Sequence, residues 1–148
     1  MTIRDLDKDN RITEFLDSAP RFKVIVLRDG SFDVSMPHVN VGLVLSTYLK
    51  EHDLSDKAIN GAKDFLLAYI TDAIKADEDY GKYVCLTNLG ILFEKRLDFA
   101  PAEFLSSIAK NTLLFLHWEG VIRMQKLFFL EEGSKHFIDF KNTNYITI

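Results

Sequence analysis

Residues 83–118 constrain the fold more than any other stretch of this chain. They open on YVCLTNLGILF, pass through a charged segment and a helix-like segment, and close on TLLFLHW. Two apolar runs, 83–86 and 112–118, bracket one predicted helix at 101–110. Short apolar runs rich in β-branched and aromatic residues suit strands buried on both faces. Pro101 fits the first helical turn, where its missing N–H would have had no helical partner. Phe104, Leu105 and Ile108 then recur at helical spacing on one face, and Asn111 is a fitting stop. This pattern predicts a βαβ unit.

The flanking sequence adds elements on both sides. In residues 1–20, Ile12, Phe15 and Leu16 predict a short amphipathic helix that ends before Pro20. FKVIVL at 22–27 reads as the first strand, and Asp29-Gly30 as a turn. Residues 39–41 form a short apolar segment, followed by a predicted helix at 43–52 with Leu45, Tyr48 and Leu49 inward. Residues 55–76 carry the strongest helical pattern. Ser55 is its expected N-cap, and Asp77-Glu78-Asp79 with Tyr80-Gly81 forms an exposed acidic exit loop. After Trp118 the period changes. Residues 121–124, 127–130, 136–140 and 145–148 are short strand signals separated by turn residues, which predicts an antiparallel β-meander. With 148 residues, no repeat and no linker-like stretch, one domain is the simplest account. It divides into an N-terminal helical segment (1–20), an α/β core (22–118) and the meander (119–148).

Charge and cysteine content narrow the function classes. The net charge of −4 gives no bulk attraction to nucleic acid. The single cysteine, Cys85, lies in an apolar run and reads as a small core residue. No apolar run reaches the ~20 residues that span a bilayer. Residues 1–20 are charged and polar, unlike a secretory leader. We expect a cytoplasmic protein with no membrane partner.

One resemblance is carried by particular residues. Val84-Cys85-Leu86-Thr87-Asn88 is followed by Ile91-Leu92-Phe93-Glu94, then Leu97-Asp98, and later by Trp118-Glu119-Gly120. In this order the chain resembles the second half of the small P-loop-type protein of BREX phage-defence systems, the BrxF family. The segment Pro37–Val41 with Gly42–Leu49 also resembles the short strand and following helix of that family. The resemblance implies a three-layer α/β P-loop-like core. It also implies a defence context, with partners such as a large ATPase, a phosphatase-like protein or a DNA methyltransferase.

The chain departs from the family where nucleotide would bind. A P-loop is G-x-x-x-x-G-K-[ST], whose backbone amides and Lys hold phosphates and whose hydroxyl reaches Mg²⁺. Here only Gly30 follows the first strand, and no Gly-Lys-Ser or Gly-Lys-Thr occurs anywhere. About nine residues separate Asp29 from the next apolar segment, and Pro37 lies among them. A helical crossover needs a dozen or more. The strand that should end in a metal-holding Asp ends instead in Thr87 and Asn88, the degenerate Walker B-like positions. The expected fold is therefore a P-loop-like core with a degenerate nucleotide site, extended by a C-terminal meander. No ATPase activity, cofactor or metal is expected.

His38, His52, His117 and His136 form no i,i+3 or i,i+4 pair, so they do not read as a zinc site. Glu94, Asp98 and Glu119, with His117 and Trp118, mark a candidate site at the carboxyl ends of the strands, where open α/β sheets place ligands. Phe128, Phe129, Phe137 and Tyr145 crowd the last quarter and are the candidate interaction residues. Adjacent Phe128 and Phe129 must point to opposite faces of a strand, so one needs a cover. Taken with the resemblance, which implies a prokaryotic anti-phage defence context, the expected role is a non-catalytic accessory or scaffold protein bound to a larger subunit or to itself. Two alternatives stay open: a nucleotide binder or enzyme with a remodelled P-loop-like site, and a small immunity-type binding module.

Overall fold

The apolar runs become strands because each is buried on both sides. The structure is a computed structural model that describes residues 1–148. Two short helices lead, α1 (Ile3–Leu6) and α2 (Arg11–Asp17). The first strand, β1 (Val24–Leu27), is buried at all four positions. A short strand, β2 (Val39–Asn40), runs directly into α3 (Val41–Glu51). Helix α4 (Asp56–Ala73) follows, with Ser55 as its N-cap accepting from the Ala58 amide. A hairpin of β3 (Lys75–Asp77) and β4 (Gly81–Thr87) leads through two 3₁₀ turns to α5 (Pro101–Ala109) and β5 (Leu113–His117). The chain ends with β6 (Gly120–Arg123), β7 (Lys126–Phe129), β8 (Phe137–Asp139) and β9 (Tyr145–Thr147).

The main sheet has the order β2-β4-β5-β1-β9, and all of these neighbours are parallel. β3 adds an antiparallel pair on the edge of β4 that β2 also uses. Strand side chains alternate between two cores. Val24, Val26, Val84, Leu86, Leu114 and Leu116 pack with α3, α4, α5 and the small sheet. Ile25, Leu27, Cys85, Leu113 and Phe115 face Ile3, Leu6 and Ile12 of the N-terminal helices. The fold is α/β, with a mainly parallel sheet and a separate antiparallel sheet ordered β6-β7-β8. Leu127 and Ile138 tie that second sheet to the larger core, so it lies where a crossover helix could lie.

Three expectations need correction. Helix α3 starts at Val41 rather than 43, because Asn40 caps it by accepting from the Leu43 amide. Helix α4 stops at Ala73 rather than 76: Lys75–Asp77 turn into a strand on β4. The acidic loop closes this hairpin, with Asp77 Oδ1 accepting from the Asp79 and Tyr80 amides and Gly81 at a φ of +77°. The last strand signal does not belong to the meander. β9 pairs in parallel with β1, because Tyr145 and Ile146 pack into opposite cores of the main sheet. Tyr145 therefore stands in the main sheet, and Phe128 in the small one.

The connection from β1 to β2 is a plain loop with one 3₁₀ turn, Asp29–Ser31. It crosses the ends of β5 and β4 without a helix. The short length suffices because Val26, Leu116, Leu86 and Val39 stand at one level of the sheet. β2 occupies only the upper end of β4, so the chain does not travel back down the sheet.

Candidate functional site

Three groups of residues meet the description of a site: the carboxyl ends of the parallel strands, a cleft beside α3 and α4, and the outer face of the small sheet. At the strand ends, Thr87 and Asn88 sit as expected after β4. Thr87 is buried, and its hydroxyl reaches the Val39 carbonyl at 3.5 Å. Asn88 adopts a φ of +55°, and its Nδ2 donates to Asn40 Oδ1 at 2.9 Å. The Asn88 carbonyl accepts from the Gly42 amide at 3.0 Å. A Cβ on Gly42 would lie 2.3 Å from Asn88 Nδ2, so glycine is required for this approach. Asn88, with Thr87 before it, thus fastens the start of α3 to the end of β4.

His117 belongs to the other face of the sheet. Its Nε2 meets Asp29 Oδ1 at 2.5 Å, and its ring stacks on Phe32 at 4.4 Å and 16°. His38 touches the same Phe32 edge-on at 5.3 Å, with its Nδ1 against the Met36 carbonyl at 2.8 Å. These contacts pin the 28–38 loop across the strand ends. Trp118 points the opposite way and is buried, its indole N–H donating to the Phe128 carbonyl at 3.0 Å. Glu94 is exposed and accepts from the Arg96 amide at 3.3 Å. Glu119 is exposed, and its carbonyl accepts from the Leu130 amide. No three His, Cys, Asp or Glu side chains converge as a metal site would require. The proposed strand-end site of Glu94, His117, Trp118 and Glu119 is therefore divided: alternation alone sends His117 and Trp118 to different faces.

The cleft was not legible in sequence. It has a volume of about 590 Å³ and is lined by Leu49, Leu54, Ile59, Gly90, Ile91, Phe93, Glu94, Arg96, Leu97, Phe129 and His136. Its wall is an aromatic cluster. Phe93 lies 5.7 Å from Phe129 and 5.3 Å from His136, and Trp118 lies 6.2 Å from Phe129. Gly90 makes room for Phe129, since a Cβ there would meet the ring at 2.6 Å. The residues come from three separate parts of the chain, joined only by folding. The nearest sequence signal was the unexplained crowding of Phe residues.

The Phe128/Phe129 pair divides as a strand requires. Phe129 turns inward to the cleft, with Leu127 beside it in the core. Phe128 turns outward against Phe137, with centroids 5.6 Å apart. Phe137 is 40% exposed, and the Lys126 ammonium lies 5.0 Å over its ring. Tyr145 instead packs on Phe140 at 5.6 Å, and burial pushes its phenol pKa upward. Cys85 is buried in the sheet, and burial pushes its thiol up to about 12.

No family model matches the chain, and no curated protein or solved structure matches it. No helix is long and apolar enough to cross a membrane.

Proposed function

We propose that this protein is a non-catalytic accessory protein that works by contact with a larger protein, and that its cleft receives apolar side chains of that partner. The observation that carries this reading is the cleft itself. Ligand-binding clefts commonly fall between ~300 and 1,000 Å³ and combine an apolar lining with a few polar groups. Here Leu54, Ile59, Ile91, Phe93 and Phe129 form the apolar lining, and Glu94, Arg96 and His136 bring both charge signs to it. Leu54 remains 57% exposed beside it. Buried aromatic anchors ringed by polar groups are where interface energy concentrates.

The P-loop-like core and the anti-phage context rest on the resemblance of the 84–120 and 37–49 segments. Within that reading, the plain 28–38 loop after β1 stands where the phosphate loop and its helix would be, so no run of backbone amides is offered to a nucleotide there. Calorimetry with Mg-ATP and Mg-GTP tests it. No binding heat is expected, and micromolar affinity for either would contradict it.

A second reading has one observation in its favour. The Asp29–His117 hydrogen bond lies at the carboxyl ends of the strands, where a remodelled nucleotide or catalytic site would lie. Against it, the Phe32 stack covers the imidazole ring, and no nucleophile shares a hydrogen bond with His117.

A further inference from the structure

Helices α3 and α4 leave an open groove on their outer side. It has a volume of about 400 Å³, and Leu43 and Tyr69 in its lining are 61% and 46% exposed. Its floor is a row of rings. Tyr48 stacks on Phe65 at 4.1 Å and 10°, His52 lies 4.8 Å from Tyr48, and Tyr69 lies 6.3 Å from Phe65. Val44, Tyr48 and Phe65 rest on the core beneath. Gly61 leaves room for the row, since a Cβ there would come within 3.2 Å of the Tyr48 hydroxyl. Glycine weakens a helix interior, and the close seating of Tyr48 accounts for its place inside α4.

We propose that this groove docks an amphipathic helix of a partner protein, with apolar residues along the ring row and an arginine at Glu51. The backbone argument selects a helix. An extended segment would bring an N–H and a C=O per residue onto a surface whose own main chain is already paired within α3 and α4. Those groups would be desolvated without partners, whereas a helix pairs its own. The charge argument selects the sign. Glu51 is the one carboxylate in the lining, no Lys or Arg lines the groove, and Glu51 takes part in none of the ion pairs. Lys50, next to it in sequence, lines the hollow on the other side of α3 beside Leu54. A planar guanidinium both pairs with a carboxylate and stacks on aromatic rings, so arginine fits a carboxylate set three positions after Tyr48.

Length sets the size of the occupant. The 11 residues of α3 span about 16 Å, so the groove accepts roughly three turns of helix. Such a helix lies against α3 and α4 together, at axis separations of about 8–10 Å. This inference goes beyond the cleft reading, because the cleft opens on the Leu49 and Leu54 side of α3. It stands whether or not the cleft has an occupant.

Two synthetic peptides of about 14 residues test it, both with Leu at i, i+3, i+4 and i+7 and differing only in Arg or Glu beside the Leu stripe. Each is titrated into the full chain up to about 1 mM, with the ring NMR resonances of Tyr48, Phe65 and Tyr69 as the readout and circular dichroism as the fold control. The Arg peptide should shift these resonances and bind about tenfold tighter than the Glu peptide. Tyr69→Ala and Leu43→Ser, both at exposed positions, should weaken its binding about tenfold with the fold intact. Glu51→Arg should reverse the preference between the peptides. Absence of shifts with the Arg peptide, equal binding of the two, or an unchanged preference in Glu51→Arg overturns the proposal. Shifts that grow with protein concentration alone would give the groove to a second copy of the chain and refute the partner helix.

Discussion

The side-chain amide of Asn88 donates to Asn40 Oδ1 at 2.9 Å, and the same Asn40 oxygen caps α3 through the Leu43 amide. Two residues 48 positions apart thereby fix the register of β2 on β4 and the start of the following helix. The contact is tight enough to exclude a methyl group from Gly42. Gly42→Ala should destabilise the fold by about 1–3 kcal/mol, the usual range for overpacking. Asn88→Gly loses the side-chain bond but relieves a left-handed residue, so its own cost should be smaller. In the double variant the new methyl has nothing to strike. Chemical denaturation of all four proteins should show strong coupling, and simple additivity would mean that the clamp does not exist.

Phe129 and Phe128 offer a contrast between adjacent rings. Phe129→Ala removes the ring that Gly90, Phe93 and Trp118 surround, and should cost about 3 kcal/mol. Phe128→Ser should leave the denaturation midpoint within about 0.5 kcal/mol of wild type, as surface changes do. Equal losses would place both rings in the core.

Asp7 anchors the N-terminal helices. Burial alone would raise its pKa, but hydrogen bonds from Thr13 Oγ1, the Tyr80 hydroxyl and the Ile12 and Thr13 amides outweigh it, holding the carboxyl below its usual range. A carboxylate with a depressed folded pKa adds stability above its unfolded value, near ~3.9, and loses it as pH falls through the folded value. Wild-type stability should therefore fall below about pH 4, and Asp7→Asn should show a shallower acid dependence. At pH 7 the variant should be less stable by about 1–3 kcal/mol, the scale of charged hydrogen bonds. Parallel acid profiles for the two proteins would exclude this role.

Cys85 should resist thiol reagents at pH 8 until the protein unfolds, because its thiol is buried and pushed up to about 12. Labelling rates should follow denaturant concentration. Rapid labelling of the native protein would place Cys85 at an opening edge of the sheet.

The elements that could be read in sequence are those whose pattern is local. Pro101, Phe104, Leu105 and Ile108 defined α5 to within one residue of its end. Ser55 defined the start of α4. The run 145–148 could not be assigned a sheet, because YITI has the same alternation in a meander and beside β1. Only the contacts of Tyr145 and Ile146 with two different cores decide it. Residues 94–96 read only as a charged segment, yet Arg96 lines the cleft and the adjacent Leu97 is buried. Asp29 and Gly30 read as a turn, which they are, but the partner of Asp29 is His117, 88 positions away. The cleft joins residues 49–59, 90–97 and 129–136, and no local period marks such a gathering.

The most direct test of the account is a titration of purified products of the neighbouring genes into the wild-type protein and into Leu54→Lys. Leu54 lines the cleft, is 57% exposed, and lies outside the core, so the variant should fold normally. The account predicts one neighbour that binds wild type with measurable heat, and at least a tenfold loss of affinity when a charge enters the cleft. Binding that is unchanged in Leu54→Lys, or no binding by any neighbour, would contradict it.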